Sequence, residues 1–216
     1  MHHVLCFGDS NTWGYIPGEG RRYDERTRWT GVLAEALGSE WRVHEDGLNA
    51  RTSVFPSAFK PFLNGLDALP VALWSQKPLD VLVIALGTND LKEHSAIQAA
   101  NGVGTLVRLA QHLDDLYPAA ERVFPNGAKI LVVSPIEIGD RLATVNPADE
   151  LAGKHAESLK LPAFFREMCS SAGVALLDAQ TVAKPSPVDC VHMAPEGHRA
   201  LGLAVAEAVR KLMTAS

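Results

Sequence analysis

Cysteine is scarce in this chain of 216 residues: only Cys6, Cys169 and Cys190 occur, and no two form a CxxC pair. An odd number at wide spacing argues against a disulfide framework and against a zinc ribbon. Basic clusters are absent too, the longest being the pair Arg21-Arg22. With a formal net charge of −5 and a pI near 5.9, the chain lacks the electrostatic footprint of a nucleic-acid or anionic-membrane partner. No apolar run approaches the ~18 residues of a membrane span. The Met-His-His start leads straight into a strand pattern, without a charged stretch followed by an apolar one, so the expected location is cytoplasmic. The eight histidines include no HxH or HxxxH pair, so no metal is expected. There is no internal repeat, no low-complexity segment and no composition break, and one domain over residues 1–216 is the expectation.

What the chain does have is apolar residues, 47% of the total, in runs of strand length separated by helical patterns. Residues 3–7 (HVLCF), 41–45 (WRVHE), 80–87 (DVLVIALG), 128–134 (AKILVVS) and 174–178 (VALLD) read as strands. The continuous runs among them suit strands buried on both faces. Helical spacing covers 28–37, 66–76 (with Pro70 near its start), 95–116, 149–172 (with an irregularity at Pro162) and 195–213. Five strands alternating with helices predict a three-layer α/β/α fold around a five-stranded, mostly parallel sheet. The flavodoxin-like order 2-1-3-4-5 is the most economical. Irregular stretches at 47–65, 136–150 and 179–191 directly follow strand ends, and 14–27 comes just after the first strand's turn. Ligands of such sheets sit at that edge.

Four polar pieces fall at or near the edge: Gly8-Asp9-Ser10-Asn11-Thr12, Asp46 to Thr52, Gly87-Thr88-Asn89-Asp90, and Asp189-Cys190-Val191-His192. Singly each is an ordinary turn. Jointly they supply the parts of acyl transfer. Ser10 can attack a carbonyl if a base takes its proton, and His192 is that base. Asp189, three residues earlier, can fix the tautomer of His192 and stabilise its charged form. A tetrahedral intermediate needs donors, which the N–H groups of Ser10 and Gly47 and the side-chain amide of Asn89 can provide. Gly47 has no Cβ to keep a ligand away from its amide. Asp9 reads as a brace for the turn, Arg51 as a brace for its loop, and His198 as a surface or packing residue.

This set resembles the SGNH hydrolases, also called the GDSL esterases and lipases. Ser10, Gly47, Asn89 and His192 match the four namesake residues in order, and the likeness runs from residue 4 to about residue 212. Asn11 departs from the leucine commoner at that place and reads as a detail of the turn. "CFGDSNTWG", "RWTGVLAEALG", "EDGLNART", "LGTND" and "LVVSP" are similar to the small bacterial arylesterases that also act as acyltransferases and perhydrolases. That resemblance implies a serine esterase working through an acyl-enzyme on Ser10, on small esters with short acyl or aryl groups. It implies an acyl pocket lined by Trp13 and Val191 with Lys92 near its entrance, and it implies a homo-oligomer. No cofactor is implied, and the partner is a small-molecule ester.

Other functions stay open at this point. A carbohydrate acetyl esterase would use the same triad with a sugar as leaving group. A nucleotide-binding module is disfavoured, since the first strand–helix turn carries no G-x-G-x-x-G and no P-loop lysine. A catalytically dead scaffold is disfavoured because every required residue type is present.

Overall fold

The structure, a computed structural model, describes residues 1–56 and 60–214; residues 57–59, within the stretch 47–65 expected to be irregular, and residues 215–216 lie outside the described residues. Five strands form one sheet: β1 (His2–Gly8), β2 (Trp41–Gly47), β3 (Val81–Ala85), β4 (Lys129–Ser134) and β5 (Ala175–Asp178). Their order is β2-β1-β3-β4-β5 and all four pairings are parallel, as the flavodoxin-like expectation required.

The apolar runs of the three central strands divide by the strand period of two. Val4 and Cys6, Val81 and Val83, Leu131 and Val133 face one side, where α2 (Trp29–Leu37) and α8 (Pro195–Thr214) pack with Leu33, Leu201 and Val205. Leu5 and Phe7, Leu82 and Ile84, Ile130 and Val132 face the other side, against α3 (Gly65–Gln76), α4 (Ala96–Leu116) and α7 (Leu161–Ala172). Each fully buried leucine or phenylalanine there contributes about 1.5–3 kcal/mol relative to exposure. Two apolar faces explain why these strands show no polar alternation.

Local chemistry sets the boundaries. Ser95 opens α4 with a reciprocal capping box to Gln98. Strand β3 ends before the expected 80–87 run does, because Gly87 takes φ 129° and turns the chain out toward Thr88-Asn89. The expected helix over 149–172 is instead two, α6 (His155–Ser158) and α7, preceded by turns through 149–154. Pro162, with no N–H to donate, stands in the first turn of α7, where no donor is needed, so the helix restarts there, whereas Pro70 lies inside α3. Two further four-residue helices complete the set: α1 (Ser10–Trp13) at the end of β1, and α5 (Leu142–Val145) in the loop after β4. Among the described residues no helix is long and apolar enough to cross a membrane.

Candidate active site

The C-terminal ends of β1, β2 and β3 point to one edge, where the polar pieces meet. Strand β1 runs into Gly8, whose missing Cβ would lie 2.0 Å from the Thr12 hydroxyl and 2.8 Å from the Ala85 carbonyl. Any side chain there would push α1 off the sheet. Asp9 caps α1 by accepting the Asn11 N–H at 3.0 Å, and Gly14, in the left-handed region, closes it with an N–H to the Ser10 carbonyl. Ser10 is therefore the first residue of the helix, with an N–H that has no intrahelical acceptor.

His192 lies 182 residues away and reaches Ser10 directly: Nε2 is 2.9 Å from Oγ. Its Nδ1 is 2.7 Å from Asp189 Oδ2, while Asp189 Oδ1 takes the backbone N–H groups of Val191 and His192. Burial pushes the Asp189 carboxyl up, but the hydrogen bonds from the His192 side chain and backbone outweigh it and hold the group below its ordinary value. An ionised carboxylate only accepts, so Nδ1 carries the proton and Nε2 is left bare toward the Ser10 hydroxyl. The Tyr15 ring stacks on the imidazole, centroids 4.2 Å apart, and covers its face.

The loop bearing Asp189 is tied down at close intervals. Ser186 N–H donates to the His192 carbonyl at 2.7 Å, Cys190 N–H to the Ser186 carbonyl, and Gly139 N–H to the Cys190 carbonyl. Cys190 sits at φ 60°, a strained setting for a side chain. Asn11 was a detail of the turn in the sequence; in the structure it joins the Ser10 turn to the His192 loop. Its Oδ1 accepts the Met193 N–H at 3.0 Å and its Nδ2 donates to the Val191 carbonyl at 3.4 Å. These two groups flank His192. A leucine could make neither bond, and no signal within the turn announces contacts so remote.

Two further loops complete this edge. Asn89 is buried in a short 3₁₀ turn after β3, and its Nδ2 donates to the Arg51 carbonyl at 3.2 Å, which fixes the amide plane. Gly47 ends β2 opposite Gly8. A Cβ on it would stand 2.2 Å from the Trp13 nitrogen and 2.6 Å from the Thr12 carbonyl carbon, so packing of α1 demands a glycine here. Three residues on, Ala50 takes φ 64°. Among the described residues, Ala50 and Cys190 are the only non-glycines with positive φ, and each lies in a loop bearing site residues. Strain of that kind clusters at functional sites.

Two carboxyls are buried just behind. Asp9 is raised to about 6, chiefly by burial, against the hydrogen bond from Asn11 and the nearby charges of His192 and Arg51. Asp90, which accepts the Ser53 N–H at 2.8 Å, is likewise raised to about 6 by burial, with the charge of Asp9 adding to it.

The residues expected around the acyl group are distributed unevenly. Trp13 is half-buried at the end of α1, 6.3 Å from Tyr15 between ring centroids, with the Arg22 guanidinium over its ring. Val191 is buried and packs in the larger apolar cluster. Lys92 is held in an ion pair with Glu150 at 2.8 Å, which commits its charge to the loop after β4. His198 takes the packing role: fully buried, it accepts the Trp29 N–H and meets Tyr23 edge-on. A surface groove of about 480 Å³ between α4 and α7 contains none of these residues. Among the described residues no group of three or more His, Cys, Asp or Glu is arranged to hold a metal.

Comparison with known proteins finds relatives over nearly the whole chain. The sequence profile of the GDSL-like lipase/acylhydrolase family matches residues 6–200. The native aryl esterase of M. smegmatis is 34% identical, with a TM-score of 0.87 over 98% of this chain and 100% of that one. Est24, a carbohydrate acetylesterase from Sinorhizobium meliloti, is 32% identical, with a TM-score of 0.89 over 98% and 100%. A carbohydrate acetylesterase family member from the same organism is 33% identical, with a TM-score of 0.89 over 99% of each chain. No curated protein sequence matches.

Proposed function

The chain belongs to the GDSL-like lipase/acylhydrolase family, and from that premise we propose that it is a serine esterase of small carboxylic esters with short acyl or aryl groups. The observation that carries the reading is the relay Asp189–His192–Ser10, with links of 2.7 and 2.9 Å. In the first step Ser10 Oγ attacks the ester carbonyl carbon and its proton passes to His192 Nε2. The ionised Asp189 balances the imidazolium. The carbonyl oxygen becomes an oxyanion held by the Ser10 N–H, the Asn89 amide and an N–H of the 47–50 loop. Within that loop Ala50, turned into the left-handed region, is a better-supported donor than Gly47, whose glycine is accounted for by packing. Collapse breaks the ester C–O bond, and the leaving alcohol or phenol takes the proton from Nε2. Water then attacks the acyl-enzyme with His192 again as base, releasing the acid and restoring the serine. An alcohol in place of water would give acyl transfer.

The second reading, a carbohydrate acetyl esterase, is favoured by the fold shared with a carbohydrate acetylesterase at 32% identity. Both readings use one mechanism and differ in leaving group. The test is hydrolysis of p-nitrophenyl acetate by wild type and Ser10→Ala, followed by phenyl acetate against acetylated xylose. Loss of turnover in Ser10→Ala is expected, and the preferred ester separates the two readings. Undiminished hydrolysis by Ser10→Ala rules out both.

A further inference from the structure

Arg51 is a buried cation whose hydrogen-bond partners all lie on the segments that build the site. Its side chain is 5% exposed. Nη1 donates to two carbonyls, Gly8 at 3.0 Å and Asp46 at 2.6 Å, and Nη2 to Asp46 Oδ1 at 2.7 Å. The guanidinium carbon lies 4.0 Å above the centroid of the Phe7 ring. The backbone of the same residue works in the other direction: its N–H closes the loop on the Leu48 carbonyl at 3.1 Å, and its carbonyl receives Asn89 Nδ2.

These contacts fall on three separate segments. Gly8 is the last residue of β1, two before Ser10. Asp46 precedes the 47–50 loop, which the Arg51 N–H closes on the Leu48 carbonyl around Ala50, the donor preferred above. Asn89 supplies the side-chain donor. We propose that Arg51 is the positioning residue of the oxyanion hole, setting the mutual placement of all its donors without touching substrate. The inference rests on the esterase reading above. A planar fork can bridge two carbonyls and a carboxylate at once, which a lysine ammonium, a point charge on a flexible stem, cannot do. Donors that act on developing charge lower kcat when they drift, and leave ground-state binding nearly untouched.

The test is a double-mutant cycle read in steady-state kinetics on p-nitrophenyl acetate. It uses Arg51→Met, Arg51→Lys, Asn89→Ala and the combinations, with thermal melting measured on each. Expected is a fall in kcat on the order of 10²-fold for each Arg51 variant, with KM changed by less than about threefold. In the Asn89→Ala background the Arg51 changes should cost far less, because one of the donors they misplace is already gone. Effects that simply multiply, or wild-type kcat in either Arg51 variant, overturn the inference. So does a failure of both variants to fold, since Arg51 would then hold the fold and not the donors; if only Arg51→Met fails, Arg51→Lys decides. Failure of the esterase reading is distinct: it shows as full hydrolysis by Ser10→Ala. Activity lost in Ser10→Ala and Asn89→Ala but retained in the Arg51 variants refutes the positioning role alone.

Discussion

Asp9 is 4% exposed and gives an oxygen to the Asn11 N–H, and Asp9→Asn keeps both the shape and that capping oxygen while removing the charge. Lifting a carboxyl from 3.8 to about 6 means that folding binds its proton more tightly than the unfolded chain does. Between those two values the native state holds more protons, so this residue's contribution to stability falls as pH rises through the window and stays low above it. The size of the penalty on the ionised form is about 3 kcal/mol. The new amide brings two N–H donors into a buried place, at a cost of about 1–3 kcal/mol if they stay unpaired, but that cost is the same at every pH. The pH slope therefore isolates the charge. Chemical denaturation of both proteins at pH near 3.5 and near 7.5 should show the variant gaining about 3 kcal/mol on wild type across the interval. Loss of the negative charge beside His192 should also lower esterase activity even as neutral-pH stability improves, the usual opposition at a site built for function. Parallel pH slopes in the two proteins would refute the argument.

Further outcomes follow from the same geometry. Asn11→Leu should lose about 1–3 kcal/mol of stability with two hydrogen bonds. Its kcat/KM should fall about 10- to 100-fold, since the base is no longer tied to the nucleophile's turn; denaturation and p-nitrophenyl acetate kinetics measure both. Gly47→Ala should destabilise by about 3 kcal/mol or more, because its methyl group would meet the backbone of Thr12 and Trp13, and a melting curve checks this. His198 runs opposite to Asp9. Burial, with smaller contributions from the charges of His192 and Arg28, lowers it from 6.5 to about 4, so it stays neutral and its stability is lost as pH falls through that window. His198→Asn, which keeps an acceptor for the Trp29 N–H, should remove about 3 kcal/mol of acid sensitivity between pH ~6.5 and ~4.

The fold was legible because the pattern leaves little freedom. "VLCF", "VLVIA" and "ILVV" are apolar on both faces, and only a central strand between two helical layers satisfies that. The members of the relay were legible as residue types at strand ends. Orientation was not. Asn11 lies in the quoted turn, yet its partners are some 180 residues distant, and nothing short-range distinguishes it from a capping side chain. Gly47 was read for closeness to a ligand, whereas the structure places the backbone of α1 against it. Lys92 was placed near the pocket entrance by resemblance alone, and its partner Glu150 lies on another loop that no local pattern links to it. The run over 149–172 showed its irregularity at Pro162, but its helical period extended over 149–154, where the chain turns instead.

In the proposed mechanism Ser10 is the nucleophile and His192 its base. A p-nitrophenyl phosphonate ester forms a stable adduct with an activated serine, and peptide mass mapping locates it. One phosphonyl group per chain is expected, on the peptide bearing Ser10, with labelling slowed at least about 100-fold in His192→Ala. A label on any other residue, or an unlabelled protein that still hydrolyses esters, would contradict it.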